Sequence, residues 1–220
     1  FLMQTLYITH PACHLHEMGN WHPECPERLD AINDQFLASG IEGLLQPCRA
    51  REATDADLLR VHSAEHINYL KKHVPLKGYF EIDPDTYMNP HTLQAALAAA
   101  GAGLTAVDEI MSQQAQNAFC AVRPPGHHAR PNQAMGFCFF NNIGVTVAYA
   151  LEKFKLGNVA IIDFDVHHGN GTAEMFANDP RVLMCGFYQN LIFPNVHTEN
   201  KSENMLNIPV EAYATGDVVR

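Results

Sequence analysis

Two pairs of tandem histidines, His127-His128 and His167-His168, each lie just beyond an apolar run, and the second pair follows two alternating aspartates, Asp163 and Asp165. The run Asn158 to Phe164 reads as a buried strand, so Asp163, Asp165 and His167 sit at its C-terminal end, where open α/β sheets place their ligands. In extended chain these three side chains alternate onto one face. Carboxylates crowded there repel unless a cation lies between them, and mixed oxygen and nitrogen donors suit a zinc-type divalent ion. Two helix-capping acids beside a core histidine would give the same D-x-D; the added His167 and His168 favour a metal.

The segment Arg123-Pro124-Pro125-Gly126-His127-His128-Ala129 also follows a strand and breaks it with a rigid turn. Neighbouring imidazoles serve as general base and general acid when their pKa values are driven apart. Asp163 would raise the pKa of a bonded histidine, whereas Asn170 would orient one without charging it. The alternatives are that His127 and His128 are themselves ligands, or merely a polar loop. Between the two segments lies Gly136-Phe137-Cys138-Phe139-Phe140-Asn141-Asn142, dense in aromatics. It reads equally as core capped by Asn141 or Asn142, or as an apolar slot in which Phe137 admits an aliphatic chain.

The elements that must position these residues read as one α/β domain over residues 1–220. Gln4 to Thr9 is a strand, a helix opens at Pro26 and stops at Gly40, and Thr54 with Asp57 forms a capping box. Ser63 caps a helix ending near His73, Lys77 to Pro90 reads as loop, and Thr92 to Gln114 as a long Ala-rich helix. Strands at Ala118–Val122, Asn158–Phe164, Val182–Cys185 and Met205–Pro209 then alternate with helices at Asn141–Phe154 and Gly171–Ala177. Continuous apolar strands between helices predict a mainly parallel sheet covered on both faces, a three-layer α/β/α fold.

Composition narrows the function classes. The 220 residues are 47% hydrophobic and 17% charged, which excludes a disordered chain. Fourteen basic against 24 acidic residues give a net charge of −10, so no nucleic-acid partner is expected and cationic substrates are mildly favoured. Six scattered cysteines without a C-x-x-C pair argue against a structural zinc site or a disulfide scaffold and fit a reducing compartment. The start, FLMQTLYITHPACH, lacks a basic leader and a long apolar run, and no stretch of about 18 apolar residues occurs. The expectation is a cytoplasmic protein with no membrane partner. Nothing in the sequence specifies an oligomeric state.

Taken together, HPECPERLDAI at 22–32, RPPGHHA at 123–129, GFCFFNN at 136–142 and DFDVHHGNGT at 163–172 resemble the histone deacetylase family, with its arginase/deacetylase fold. The motifs run in order over most of the chain, and Asn170 is similar to the class II and bacterial branch. The resemblance implies zinc-dependent hydrolysis of an acetylated lysine, polyamine or small amide, with Asp165 and His167 as zinc ligands. It makes His127, partnered by Asp163, the base that activates water, and His128, partnered by Asn170, the histidine assisting the leaving amine. Phe137, after Gly136, would face Phe193 across a tunnel, and Asp85 resembles a rim carboxylate gripping substrate. A potassium ion would be held by backbone around Asp163, Asp165, His167, Gly186 and Phe187.

Three departures go with it. The third zinc ligand and the transition-state tyrosine of the family have no counterpart here, and His197, Glu199 and Asp217 lack the spacing to replace them. The chain therefore reads as the N-terminal two-thirds of such a domain, and a metal-binding but inactive fragment is the alternative. Gly186 stands where relatives commonly carry a potassium-binding serine. An arginase-like two-metal site would need aspartate at 169, which is Gly169, and Gly101-Ala102-Gly103-Leu104-Thr105-Ala106 lies in a helix, unlike a dinucleotide loop.

Overall fold

The computed structural model describes residues 5–195 and 202–219. Strand β1 (Thr5–Thr9) buries Leu6 and Ile8, and α1 (Ala12–Leu15) follows. Helix α2 (Glu27–Ser39) begins at Pro26, carries Glu27 and Asp30 in its first turn, and closes at Gly40, whose N–H reaches the Leu37 carbonyl. A strand not expected from the sequence, β2 (Leu45–Arg49), pairs in parallel with β1. Pro47 hides it: as an edge strand β2 tolerates a missing N–H that a central strand would not.

Thr54 and Asp57 form the expected capping box on α3 (Asp55–Leu58), and the Ser63 hydroxyl caps α4 (Ala64–Lys72). Lys77 to Pro90 is not all loop. It holds an antiparallel hairpin, β3 (Phe80–Asp83) and β4 (Thr86–Met88), turning at Pro84-Asp85. Strands of four and three residues are too short to show an alternation.

Helix α5 (Thr92–Met111) is the central post, with Ala95, Ala96, Ala98, Ala99, Ala100 and Ala102 buried. A Cβ at Gly101 would fall on the Arg51 carbonyl oxygen, so the Gly-Ala-Gly run serves close packing. Then come β5 (Asn117–Cys120), α6 (Asn142–Lys153), β6 (Val159–Asp163), α7 (Asn170–Phe176), β7 (Val182–Gln189), β8 (Met205–Val210) and α8 (Gly216–Val219).

The fold is α/β, and among the described residues the parallel strands form two three-stranded sheets, β2-β1-β5 and β6-β7-β8. One face of the second packs Ile161, Val182, Met184 and Met205 against Val147 and Leu151 of α6 and Phe176 of α7. The other face presents Ile162, Phe164, Leu183 and Leu206 to solvent. The apolar character of these strands predicts cover on both faces; the described residues cover one. Among the described residues no helix is long and apolar enough to cross a membrane.

Candidate active site

The tandem-histidine loop is anchored from beneath. Arg123 is buried, donates from Nε and Nη2 to both oxygens of buried Glu24 at 2.5 and 2.6 Å, and from Nη1 to the Cys13 and His16 carbonyls. This bidentate pair ties the 22–32 motif to the 123–129 motif across 99 residues. Burial alone would raise the Glu24 carboxyl, but His16 and Arg123 outweigh it and hold it below the usual carboxylate range.

Above this anchor His127 Nδ1 lies 2.9 Å from Asp163 Oδ2, and both side chains are largely buried. A carboxylate only accepts, so Nδ1 carries the proton and Nε2 presents its lone pair. That Nε2 is 3.9 Å from Asp165 Oδ1. Burial would raise the Asp163 carboxyl, yet the bond and charge of His127 hold it low. His128 sits against His127, ring centroids 4.0 Å apart, with its Nδ1 2.8 Å from Asn170 Oδ1. Burial and the neighbouring His127 push the His128 pKa down to about 4, against the opposing Asn170 bond. Two adjacent histidines thus have opposite environments: one faces a carboxylate, the other a neutral amide.

Asp163, Asp165 and His167 converge by a different route from strand alternation. Strand β6 ends at Asp163, and the chain bends: the Asp165 N–H donates to Asp163 Oδ1 at 3.1 Å and the His167 N–H to Asp165 Oδ1 at 2.8 Å. His167 Nδ1 is 3.0 Å from the same Asp165 oxygen. The carboxylate oxygen of Asp165 and the ring nitrogen of His167 are donor types that suit a zinc-type ion, and their 3.0 Å contact is a hydrogen bond, shorter than the roughly 3.4 Å between two donors about 2.1 Å from one tetrahedral ion. Among the described residues no third His, Cys, Asp or Glu joins them. Asp217 is exposed on α8, and His197 and Glu199 lie outside the described residues. His168 turns the other way, its Nε2 3.1 Å from Asn207 Oδ1 on β8 and its ring on Tyr188.

A Cβ at Gly169 would collide with Asp163 Oδ2 and press on His127 Nδ1, so the position where a two-metal site needs an aspartate has no room for a side chain. Gly136, at φ 58°, lies flat on the site: a Cβ there would come within 2.6 Å of His128 Cδ2 and 2.8 Å of Phe193 Cε1. Phe193 stacks edge-on to His128 at 4.9 Å and to His167 at 6.1 Å. Phe137, next to Gly136 in the chain, turns its ring to His22 at 4.5 Å. The Asp85 turn joins it, since Thr86 Oγ1 accepts the Phe137 N–H and donates to Asp85 Oδ1, while His22 Nε2 donates to the Asp85 carbonyl. Gly186 is the register partner of Asp163, Phe187 follows it on β7, and neither brings a side-chain oxygen.

The histone deacetylase domain model matches residues 22–220. The chain belongs to the histone deacetylase family. It is 37% identical over 211 residues to an uncharacterized protein of Synechocystis, covering 93% of this chain and 69% of that one. It is 36% identical to a probable deacetylase of Archaeoglobus fulgidus, covering 87% and 53% of the two chains. With a histone deacetylase-like amidohydrolase of Pseudomonas aeruginosa it shares 38% identity over 79% of this chain and 45% of the relative. The solved HD domain of HDA15 superposes with a TM-score of 0.85 at 32% identity, over 94% of this chain and 62% of that one. The chain therefore spans between about half and two thirds of these deacetylase-family relatives.

Further residues complete the site: Glu24, Arg123, Asn141 and Thr172, which lie inside the motifs but carried no site role there, and His62, which lies outside them. Asn141 was legible as a helix cap, and its Oδ1 does accept the Gly144 N–H at 2.9 Å. His62 carried no signal beyond its place before the Ser63 cap.

Proposed function

We propose that this chain carries the proton-handling half of a zinc-dependent amidohydrolase that removes acetyl groups from acetyl-lysine or a related acetylated amine. The observation that carries the reading is the paired asymmetry of His127 on Asp163 and His128 on Asn170, beside the Asp165 and His167 donors. Asp165 and His167 would hold a zinc ion, which when bound polarises the acetyl carbonyl and makes water more acidic. His127 Nε2 takes the proton of the attacking water, and Asp163, already ionised, stabilises the imidazolium that results. The same proton then passes to the departing amine nitrogen. His128 stays neutral, since Asn170 cannot compensate a charge, and its Nε2 accepts a hydrogen bond from the water or the amine.

Phe193, against His128 and His167, and Phe137, against His22, would give apolar walls for the acetylated stem, and Asp85, joined to Phe137 through Thr86, would supply a carboxylate. An apolar approach favours a neutral acetylated amine over the charged product. Human and other polyamine deacetylases are among the relatives, at 37% identity over 76% of this chain for the human protein, so an acetylated polyamine belongs to the proposed substrate class. Potassium belongs to the proposal only through backbone carbonyls around Asp163, Asp165, His167, Gly186 and Phe187.

The two donors among the described residues favour one second reading, a metal-binding chain that needs a further segment for turnover. Zinc content and hydrolysis of a fluorogenic acetyl-lysine amide, measured beside His127→Ala, separate the two. One zinc per chain with turnover lost in the variant supports the deacetylase. Zinc without turnover supports the second reading, and neither zinc nor turnover refutes both.

A further inference from the structure

His62 is buried behind the site, far from the Asp165 and His167 donors in the chain, and all its polar capacity is used. Its Nδ1–H donates to the Arg130 carbonyl at 3.1 Å, and its Nε2 accepts the Asn141 N–H at 2.9 Å. An acceptor at Nε2 requires the neutral ring. Asn141 in turn donates from Nδ2 to the Ala129 carbonyl at 3.0 Å and to Thr172 Oγ1 at 3.1 Å. The Thr172 N–H donates to the His127 carbonyl at 3.2 Å. The carbonyls of His127 and Ala129, on both sides of His128, are thus fixed by Asn141 and Thr172, and Asn141 is fixed by His62.

We infer that His62 is a positioning residue for the tandem-histidine loop, holding it through the Asn141 backbone only while its ring is neutral. A protonated ring would aim N–H at the Asn141 N–H, replacing an attraction with a repulsion inside the fold. The groups facing His62 are His66 of α4, ring centroids 5.0 Å away and itself pushed down by burial, the Phe140 ring, and the backbone of Arg130 and Pro131, whose hydrogen bonds favour the charged ring but are outweighed by burial and His66. None of these is a carboxylate. Burial and then His66 lower its pKa to about 4, in keeping with the geometry.

The inference rests on the reading of His127 and His128 as the proton-handling pair, and its test needs no turnover. In the full chain, His62→Asn keeps a donor near the Nδ1 position but loses the acceptor, whereas His62→Gln places an amide oxygen near the Nε2 position. Backbone amide exchange at Asn141 and Ala129 should accelerate roughly tenfold or more in the Asn variant and stay within about twofold in the Gln variant. In the native chain the same amides should lose protection on acidification toward pH 4, in step with the His62 ring nitrogen signals. In the Gln variant the part of that loss linked to His62 should be absent, leaving only the part that follows His128. Equal loss in both variants, or an unchanged acid transition in His62→Gln, would overturn the inference. Loss of turnover in the native chain bears only on the deacetylase reading.

Discussion

His127 Nδ1 and Asp163 Oδ2 meet at 2.9 Å although 36 residues separate them, and the contact fixes the ring's tautomer and holds the Asp163 carboxyl low. The carboxylate has no proton to give, so it works by stabilising charge on the ring. Asp163→Asn keeps the shape and removes that charge. Turnover of an acetyl-lysine amide should fall by about 10²-fold or more, the usual range of one acid–base group, with KM little changed. A KM effect without loss of kcat would place Asp163 outside the proton transfer.

The companion pair makes the opposite prediction. His128 is held near 4 with a neutral amide as its partner. Asn170→Asp supplies a carboxylate at the same position, and the His128 pKa, followed by ring-proton NMR, should rise by more than one pH unit. A value that stays put would mean that burial alone controls His128.

Acid stability follows from the same groups. His62 and His128 are buried with pKa values near 4, against 6.5 for a free histidine. Between those values the unfolded chain binds protons that the folded chain refuses, so stability is full above about pH 6.5 and falls as pH drops toward 4. Each group withdraws roughly 3 kcal/mol at most across that window. Denaturant midpoints measured from pH 7.5 to 4.5 should decline steeply below pH 6.5, and His62→Gln should flatten part of the decline. A midpoint constant to pH 4.5 would contradict both assignments.

The motifs were legible because each is local: a strand, a turn and the polar residues that follow it. Asp163 with His127, and Asn170 with His128, were legible through the family resemblance that pairs distant motifs. The route by which Asp163, Asp165 and His167 converge was not, because Asx-type turns replace strand geometry where β6 ends. Strand β2 hid behind Pro47, and the β3-β4 hairpin behind its short strands. His62 and the Glu24–Arg123 pair act through contacts 79 and 99 residues apart, which no periodicity encodes.

Gly136 offers a steric test. Alanine there faces a positive φ and two rings within 3 Å of its Cβ. The chain should lose roughly 1–3 kcal/mol by urea denaturation, and the His128 and Phe193 ring resonances should shift together. Unmoved rings would show that the loop yields instead.

The Glu24–Arg123 pair decides whether the floor of the site is held by charge or by shape. Both side chains are buried, and Arg123 spends four hydrogen bonds there. Arg123→Met leaves the Glu24 carboxylate buried beside a ring, His16, that burial keeps neutral. Breaking such a pair costs about 3–5 kcal/mol, because a buried charge is left uncompensated. Glu24→Gln in the Arg123→Met background removes that charge and should recover part of the loss. The Cys13 and His16 carbonyls stay without their donor, so recovery should be incomplete. Thermal unfolding of the two single variants and the double variant gives the coupling energy directly. A double variant no more stable than Arg123→Met would mean that the carbonyl bonds, rather than the ion pair, hold the tandem-histidine loop in place.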